Sequence, residues 1–356
     1  MAKSSAPNAL GYRMPAEWEP HEGTFLGWPH ELTDWPGKFA PIPWAFAEIV
    51  RHLARVEKVF LLVENAAAQT RVQNILKKSQ VNLAAVHFLK IPTDRGWMRD
   101  SGPLCVNNAA GDVAFNHFVF NGWAKYANHK KDAKVVARVN KTLKRKLFLP
   151  ERGGRRVVLE GGSIDVNGRG TLLTTEECLQ HKVQERNPGF GKRDYEEMFR
   201  DYLGVTNVLW LKNGIAGDDT HGHVDDLTRF VDANTVVTIV EQDRGDANYA
   251  ALQENLQLLK SMKDQDGKPL RVETLPMPAP VYFDGQRLPA SYANFYIANK
   301  LVLVPVFNDA NDRVALTTLA RLFPEREVVG IYCRDLVLGL GTIHCMTQQL
   351  PAPSRA

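Results

Sequence analysis

A thiol, an imidazole and three carboxylates stand far apart in this chain, each where a turn gives way to an apolar or extended run. Cys345 lies in Leu340-Gly341-Thr342-Ile343-His344-Cys345-Met346-Thr347-Gln348-Gln349, where a small-residue turn delivers it to the start of a short apolar element. A lone cysteine is ordinarily buried and inert, so its chemical reading rests on what lies upstream. His223 and Asp225 belong to the acid- and histidine-rich stretch 217–226. Read as a strand, that stretch puts both side chains on one face, a proton carrier beside a carboxylate; read as a surface loop, it is polar with a capping Asp. Asp100 follows Trp97-Met98-Arg99 and precedes Ser101-Gly102-Pro103, where it could pair with Arg99 or cap the turn. Glu160 ends the apolar run Val157-Val158-Leu159 and precedes Gly161-Gly162. A carboxylate there is costly unless it meets a cation or hydrogen-bond donors. Trp97 is either core or an apolar wall for a planar cation.

The set suits one kind of ligand. A guanidinium is flat, permanently charged and edged with paired N–H donors, so carboxylates clamp it best. A thiolate can then attack its central carbon, with an imidazole first protonating departing ammonia and later activating water. A thiol needs a nearby cation to lower its pKa, and a cationic ligand brings one. The expectation is Cys345 as nucleophile, His223 as acid and base, and Asp100, Glu160 and Asp225 as the clamp. No cofactor is called for. His344, next to Cys345 on a strand, points to the other face and reads as structural. His221-x-His223-x-Asp225-Asp226 partly resembles the H-x-H-x-D-H motif of metallo-β-lactamase-like hydrolases. The final His is Asp here and no downstream His set follows, so no metal is expected.

The elements that must position these groups follow from composition and period. The 356 residues are 44% hydrophobic and 24% charged with net charge +4, an ordinary globular balance that points to neither nucleic acid nor membrane. Four separated cysteines without a CxxC pair suit reduced thiols and a cytoplasmic protein. The pattern predicts a strand within 18–29, a helix opened by Pro43, a buried strand over 59–63, a helix capped by Asn65 and a strand over 86–89. Hairpins are then predicted within 101–119, 162–175, 223–240 and 291–306, the second turning at Asn167-Gly168. Helices at 132–147, 194–203, 246–259 and 311–322 separate them. The basic face of the first reads as solvated, since no nucleic-acid motif accompanies it. A repeat of about 60 to 70 residues argues for some five αβ modules whose hairpin starts face one cavity.

At these residues the chain resembles the agmatine deiminase branch of the guanidine-modifying (pentein) superfamily and the bacterial-type peptidylarginine deiminases. The matching stretches are 11–15, Glu19-Pro20-His21, 97–103, Phe120-Asn121-Gly122-Trp123, 159–164 with 174–178, Arg186-Asn187-Pro188, 222–225, 290–296 and 343–349. The resemblance implies an α+β, five-bladed αβ propeller formed by a single catalytic domain over 11–351, with flexible ends at 1–10 and 352–356. It implies that Cys345 becomes amidinated, that His223 is the general acid and base, and that Asp100, Glu160 and Asp225 hold the guanidinium. Trp97, Trp123 and Asp219 would complete the small-molecule site. The implied reaction is agmatine plus water giving N-carbamoylputrescine and ammonia, and a homo-oligomer is compatible with it. Deimination of free or peptide-borne arginine to citrulline, or a non-catalytic binding role on the same fold, is the alternative. Three stretches depart from the family: Gly339-Leu340-Gly341-Thr342, His221, and the basic run 124–131 after Trp123. The last would repel a second ammonium and favour a carboxylate-bearing substrate.

Overall fold

The computed structural model describes residues 6–353. Five sheets carry the chain, together with two short hairpins. Four share one build. Leu104–Asn107, Asp165–Val166, Thr228–Phe230 and Tyr296–Ala298 each pair antiparallel with the next strand, Val113–Asn116, Thr171–Thr175, Thr235–Val240 or Leu301–Val306. That middle strand pairs parallel with a third, reached through a crossover helix: Lys146–Phe148, Asn207–Leu211, Arg271–Pro276 or Glu327–Tyr332. In the fifth sheet Thr347–Pro351 returns to pair antiparallel with His21–Gly27, followed in parallel by Lys58–Val63 and Val86–Lys90. The ends of the chain therefore share one sheet.

Local sequence explains the elements. Ile42–Leu53 has Pro43 in its first turn, where a missing N–H costs nothing, and buries Phe46, Ile49, Val50 and Leu53. The Asn65 side chain accepts from the Ala68 N–H at 2.9 Å and starts Ala66–Lys78. The helix expected over 132–147 is shorter, Val135–Leu143 after a 3₁₀ turn. Lys144 is left-handed (φ 53°), and Asn140 bonds both the N–H and the C=O of Arg145, so the chain turns into Lys146–Phe148. Pro7–Leu10, expected within a flexible start, is a 3₁₀ turn against Lys192–Leu203; residues 1–5 and 354–356 lie outside the described residues. Among the described residues no helix is long and apolar enough to cross a membrane.

One regularity positions the chemistry. A short helical turn leads into the first strand of four sheets: Met98–Ser101, Gly161–Ser163, Val224–Asp226 and Ile343–Met346. These turns pack on one another and carry, or directly follow, Asp100, Glu160, His223 with Asp225, and Cys345.

Candidate active site

The turns bring all five groups together. The His223 ring is the hub, with Nδ1 4.0 Å from both Asp100 Oδ1 and Asp225 Oδ1 and Nε2 3.8 Å from Glu160 Oε2. Cys345 Sγ lies 3.8 Å from Asp225 Oδ2 and accepts from Asn294 Nδ2 at 3.1 Å. Asp100 is fixed by the Gly162 N–H (3.0 Å) on one oxygen and the Trp123 indole N–H (2.8 Å) on the other. Trp97 donates its own indole N–H to Asp34 (3.1 Å), and Asp219 accepts from Tyr126 Oη (2.5 Å) and pairs with Lys125. A cavity of about 560 Å³ is lined by Cys345, Asp100, Trp97, Trp123 and Asp219. His223, Glu160 and Asp225 are buried close by.

Local backbone accounts for these placements, and twice overturns the expected route. His223 and Asp225 do not alternate along a strand; a 3₁₀ turn over Val224–Asp226 presents both inward. Ile343–Met346 is likewise a helical turn, so the opposite-face argument for His344 fails. The His344 imidazole lies 2.7 Å from Asp225 Oδ2 and 2.8 Å from Glu17 Oε2. Asp100 does not pair with Arg99, whose guanidinium bonds Gln349 and Glu17. Glu160 meets the required cation in Arg186, 3.1 Å away and fully buried. Asn294, Glu17, Arg186 and Asp226 were not read as site residues. A polar side chain inside an apolar run, as in Ser291 to Tyr296, was the available signal for Asn294; Glu17 carried none.

Charge distribution follows from burial and these neighbours. Burial, then Asp225, Asp226 and Asp100, pushes the Cys345 thiol well above its usual value. Burial would discharge His223, but Asp100, then Cys178 and Glu160, outweigh it and hold the ring's pKa well above the usual imidazole range. Burial would raise Glu160, yet Arg186 and then His223 bring it down to about 2. Asp100 is raised, chiefly by burial; Asp225 is lowered because His344 overcomes the cost of burying it.

Four buried polar atoms of this cluster have no hydrogen-bond partner: Glu160 Oε2, Asp225 Oδ1 and both His223 ring nitrogens. Each such atom costs about 1–3 kcal/mol, so their concentration marks a place that a donor-rich cation would complete. The only three-residue metal-type group among the described residues is Glu160, Cys178 and His223, not the His221–His223–Asp225 set. Arg186 already meets Glu160 there, which would set a metal beside a fixed cation. His221 instead meets His181 at 2.9 Å.

Glycine is required where these turns touch. A Cβ on Gly162 would fall 2.4 Å from His223 Nδ1 and 3.0 Å from Asp100 Oδ1. Gly162→Ala should therefore lower kcat by about 100-fold through a displaced imidazole, with circular dichroism unchanged; kcat within threefold of wild type would show that the ring is not held here.

The family model for Porphyromonas-type peptidyl-arginine deiminase matches residues 13–351. The agmatine deiminase of Pseudomonas aeruginosa is 36% identical over 376 residues, covering 99% of both chains. Among solved structures, the agmatine deiminase of Enterococcus faecalis is 32% identical with a TM-score of 0.90 over 99% of both chains. The C. jejuni agmatine deiminase, solved as a cysteine-to-serine variant with substrate bound, is 29% identical with a TM-score of 0.84 over 97% of both chains. The chain thus belongs to the Porphyromonas-type peptidyl-arginine deiminase family, with the mixed α/β pentein fold of its agmatine deiminase relatives, and is a hydrolase of C–N bonds.

Proposed function

We propose that this protein is an agmatine deiminase working through a covalent amidino-cysteine. The guanidinium enters between Asp100, Glu160 and Asp225, and its N–H groups satisfy the carboxylate oxygens left without partners. Its positive charge reverses the field on Cys345, so the thiol gives its proton up to solvent only once substrate is bound. The thiolate sulfur attacks the guanidinium carbon. His223 gives its proton to one amino group, which leaves as ammonia while the sulfur–carbon bond remains. Neutral His223 then takes a proton from water, the hydroxide oxygen adds to the same carbon, and the thiolate departs as the adduct's hydroxyl proton returns to the sulfur, leaving N-carbamoylputrescine and the starting thiol. The charge balance closes without a metal or an organic cofactor. In the same reading, 11–351 is one catalytic domain, and the five sheets are blades of a ring around this site.

The observation that carries the choice of agmatine is the balance of charge in the cavity. Of the basic run after Trp123 the cavity is lined by Tyr126 and Asn128, and by none of its lysines. Lys125 is paired with Asp219, Lys131 with Asp94, and the pocket's Arg95 with Asp34. Two lining carboxylates have no ion-pair partner with a Lys or Arg among the described residues: buried Asp100 beside the thiol, and exposed Asp284 on the hairpin formed by Tyr282–Phe283 and Gln286–Arg287. A ligand with cations at both ends suits this better than one ending in a carboxylate.

A kcat/KM comparison of agmatine, free arginine and arginyl peptides, read by ammonia and ureido product, tests the assignment. Agmatine should exceed both by at least about 100-fold, a margin of roughly 3 kcal/mol. Asp284→Asn should raise KM for agmatine about two- to fivefold, as for one exposed ion pair, and leave an alkylguanidine without the amine unaffected. Faster turnover of arginine or its peptides would overturn the reading.

A further inference from the structure

Glu17 precedes the first strand and belongs to none of the matching stretches, yet its carboxylate is 4% exposed and fully bonded. Oε1 accepts from Arg229 Nη2 (3.0 Å) and the Ile297 N–H (2.8 Å). Oε2 accepts from Arg99 Nη2 (3.1 Å) and His344 Nε2 (2.8 Å). The donors come from two sheets, from the turn that carries Asp100 and from the turn that carries the thiol. On its other side, His344 Nδ1 donates to Asp225 Oδ2 at 2.7 Å. A ring with a carboxylate oxygen on each nitrogen makes both bonds only as an imidazolium. His344 thus bridges two acids, one of them Asp225, and satisfies both as ionised carboxylates when its ring carries both protons.

We propose that Glu17 and His344 are positioning residues for the deiminase reaction, forming a strap that pins one oxygen of Asp225 and leaves the other for the guanidinium. Asp225 Oδ2 is held by His344, whereas Oδ1 has no partner and points toward His223. Asp225 is also faced by Cys345, by neighbouring Asp226, by Asp100 across the cluster and by buried Arg229. With so many acids together, an unstrapped Asp225 would take up a proton or turn its free oxygen away. Glu17 supplies the opposite end: without its charge the ring could settle as a neutral tautomer and give up one bond.

The inference rests on the deiminase reading, and its test separates the two. His344→Gln should lower kcat/KM for agmatine about 10- to 100-fold, the usual scale for losing such a partner, with the acid limb of the kcat/KM profile moved up by about one pH unit. Glu17→Gln should move both in the same direction. If both variants lose thermal stability while KM and the acid limb match wild type, the strap is only structural and the proposal falls. If neither variant folds, ¹⁵N spectra of the native protein decide. Both His344 ring nitrogens should stay protonated throughout the pH range of activity, and a neutral tautomer within that range overturns the idea. Wild-type protein that turns over no guanidine compound would defeat the deiminase reading, while the spectra would still decide whether the ring is a cation.

Discussion

Cys345→Ala should reduce kcat for agmatine by at least about 10⁵-fold, since nothing else in the cavity can form the covalent bond, while agmatine still binds. The proposed clamp of Asp100, Glu160 and Asp225 is untouched by the change, so calorimetry should give a dissociation constant near that of wild type. The thiol has an unusual starting state. Burial and three nearby acids push it well above its ordinary value, so the free enzyme holds it protonated. A neutral alkylating agent should therefore label Cys345 slowly at neutral pH and faster only on the alkaline side of the usual thiol range. A cationic alkylating agent of guanidinium shape should outpace it by about 100-fold or more, because its charge offsets those acids as substrate would. His223 has the opposite requirement. It must be protonated to release ammonia, and Asp100 and Glu160 hold it so well above neutrality. Activity should fall as pH rises through that elevated value, and not near the ordinary imidazole value. Equal labelling by neutral and charged reagents would remove the substrate-assisted part of the scheme. Turnover by the alanine variant would remove all of it.

How far the sequence carries depends on the kind of signal. The strand over 59–63 and the Asn65 cap were legible because period and capping are local properties, and both stand in the fold. Reactive groups were legible through their types: an acid ending a buried run must find a cation, and Glu160 does. What could not be read was which cation. Arg186 follows it by 26 positions, and only the packing of the connection between Thr171–Thr175 and Asn207–Leu211 brings them together. The strand assumption at His223 and Asp225 reached the right neighbours by the wrong geometry, because a 3₁₀ turn and a strand can both turn two residues inward. At His344 the same assumption gave the wrong role: in a helical turn the residue before Cys345 is not forced to an opposite face. Glu17 was invisible for another reason. Its four donors all lie more than eighty positions away, a hub that no window can reveal.

Arg186→Met should destabilise the fold by about 3–5 kcal/mol, because it strands a buried carboxylate. The scale has a second source. Glu160 stands at about 2 in the folded chain against 4.5 for the free group, a difference of some 2.5 units, or about 3 kcal/mol. Because the folded value is depressed, this stability is present above the free-group value and is lost as pH falls toward 2. The variant should thus lose much of wild type's acid-dependent drop in stability between about pH 5 and 2, which denaturation at a series of pH values can measure. Arg186 also donates to the Gln184 and Thr220 carbonyls, which join the loops beside Asp219. The double variant Glu160→Gln/Arg186→Met separates these roles. It removes the stranded charge and should recover about 2 kcal/mol or more, yet agmatine turnover should stay at least about 100-fold down if Glu160's free oxygen belongs to the proposed guanidinium clamp. Recovery of turnover together with stability would mean that Glu160 serves the fold alone, and the clamp would reduce to Asp100 and Asp225.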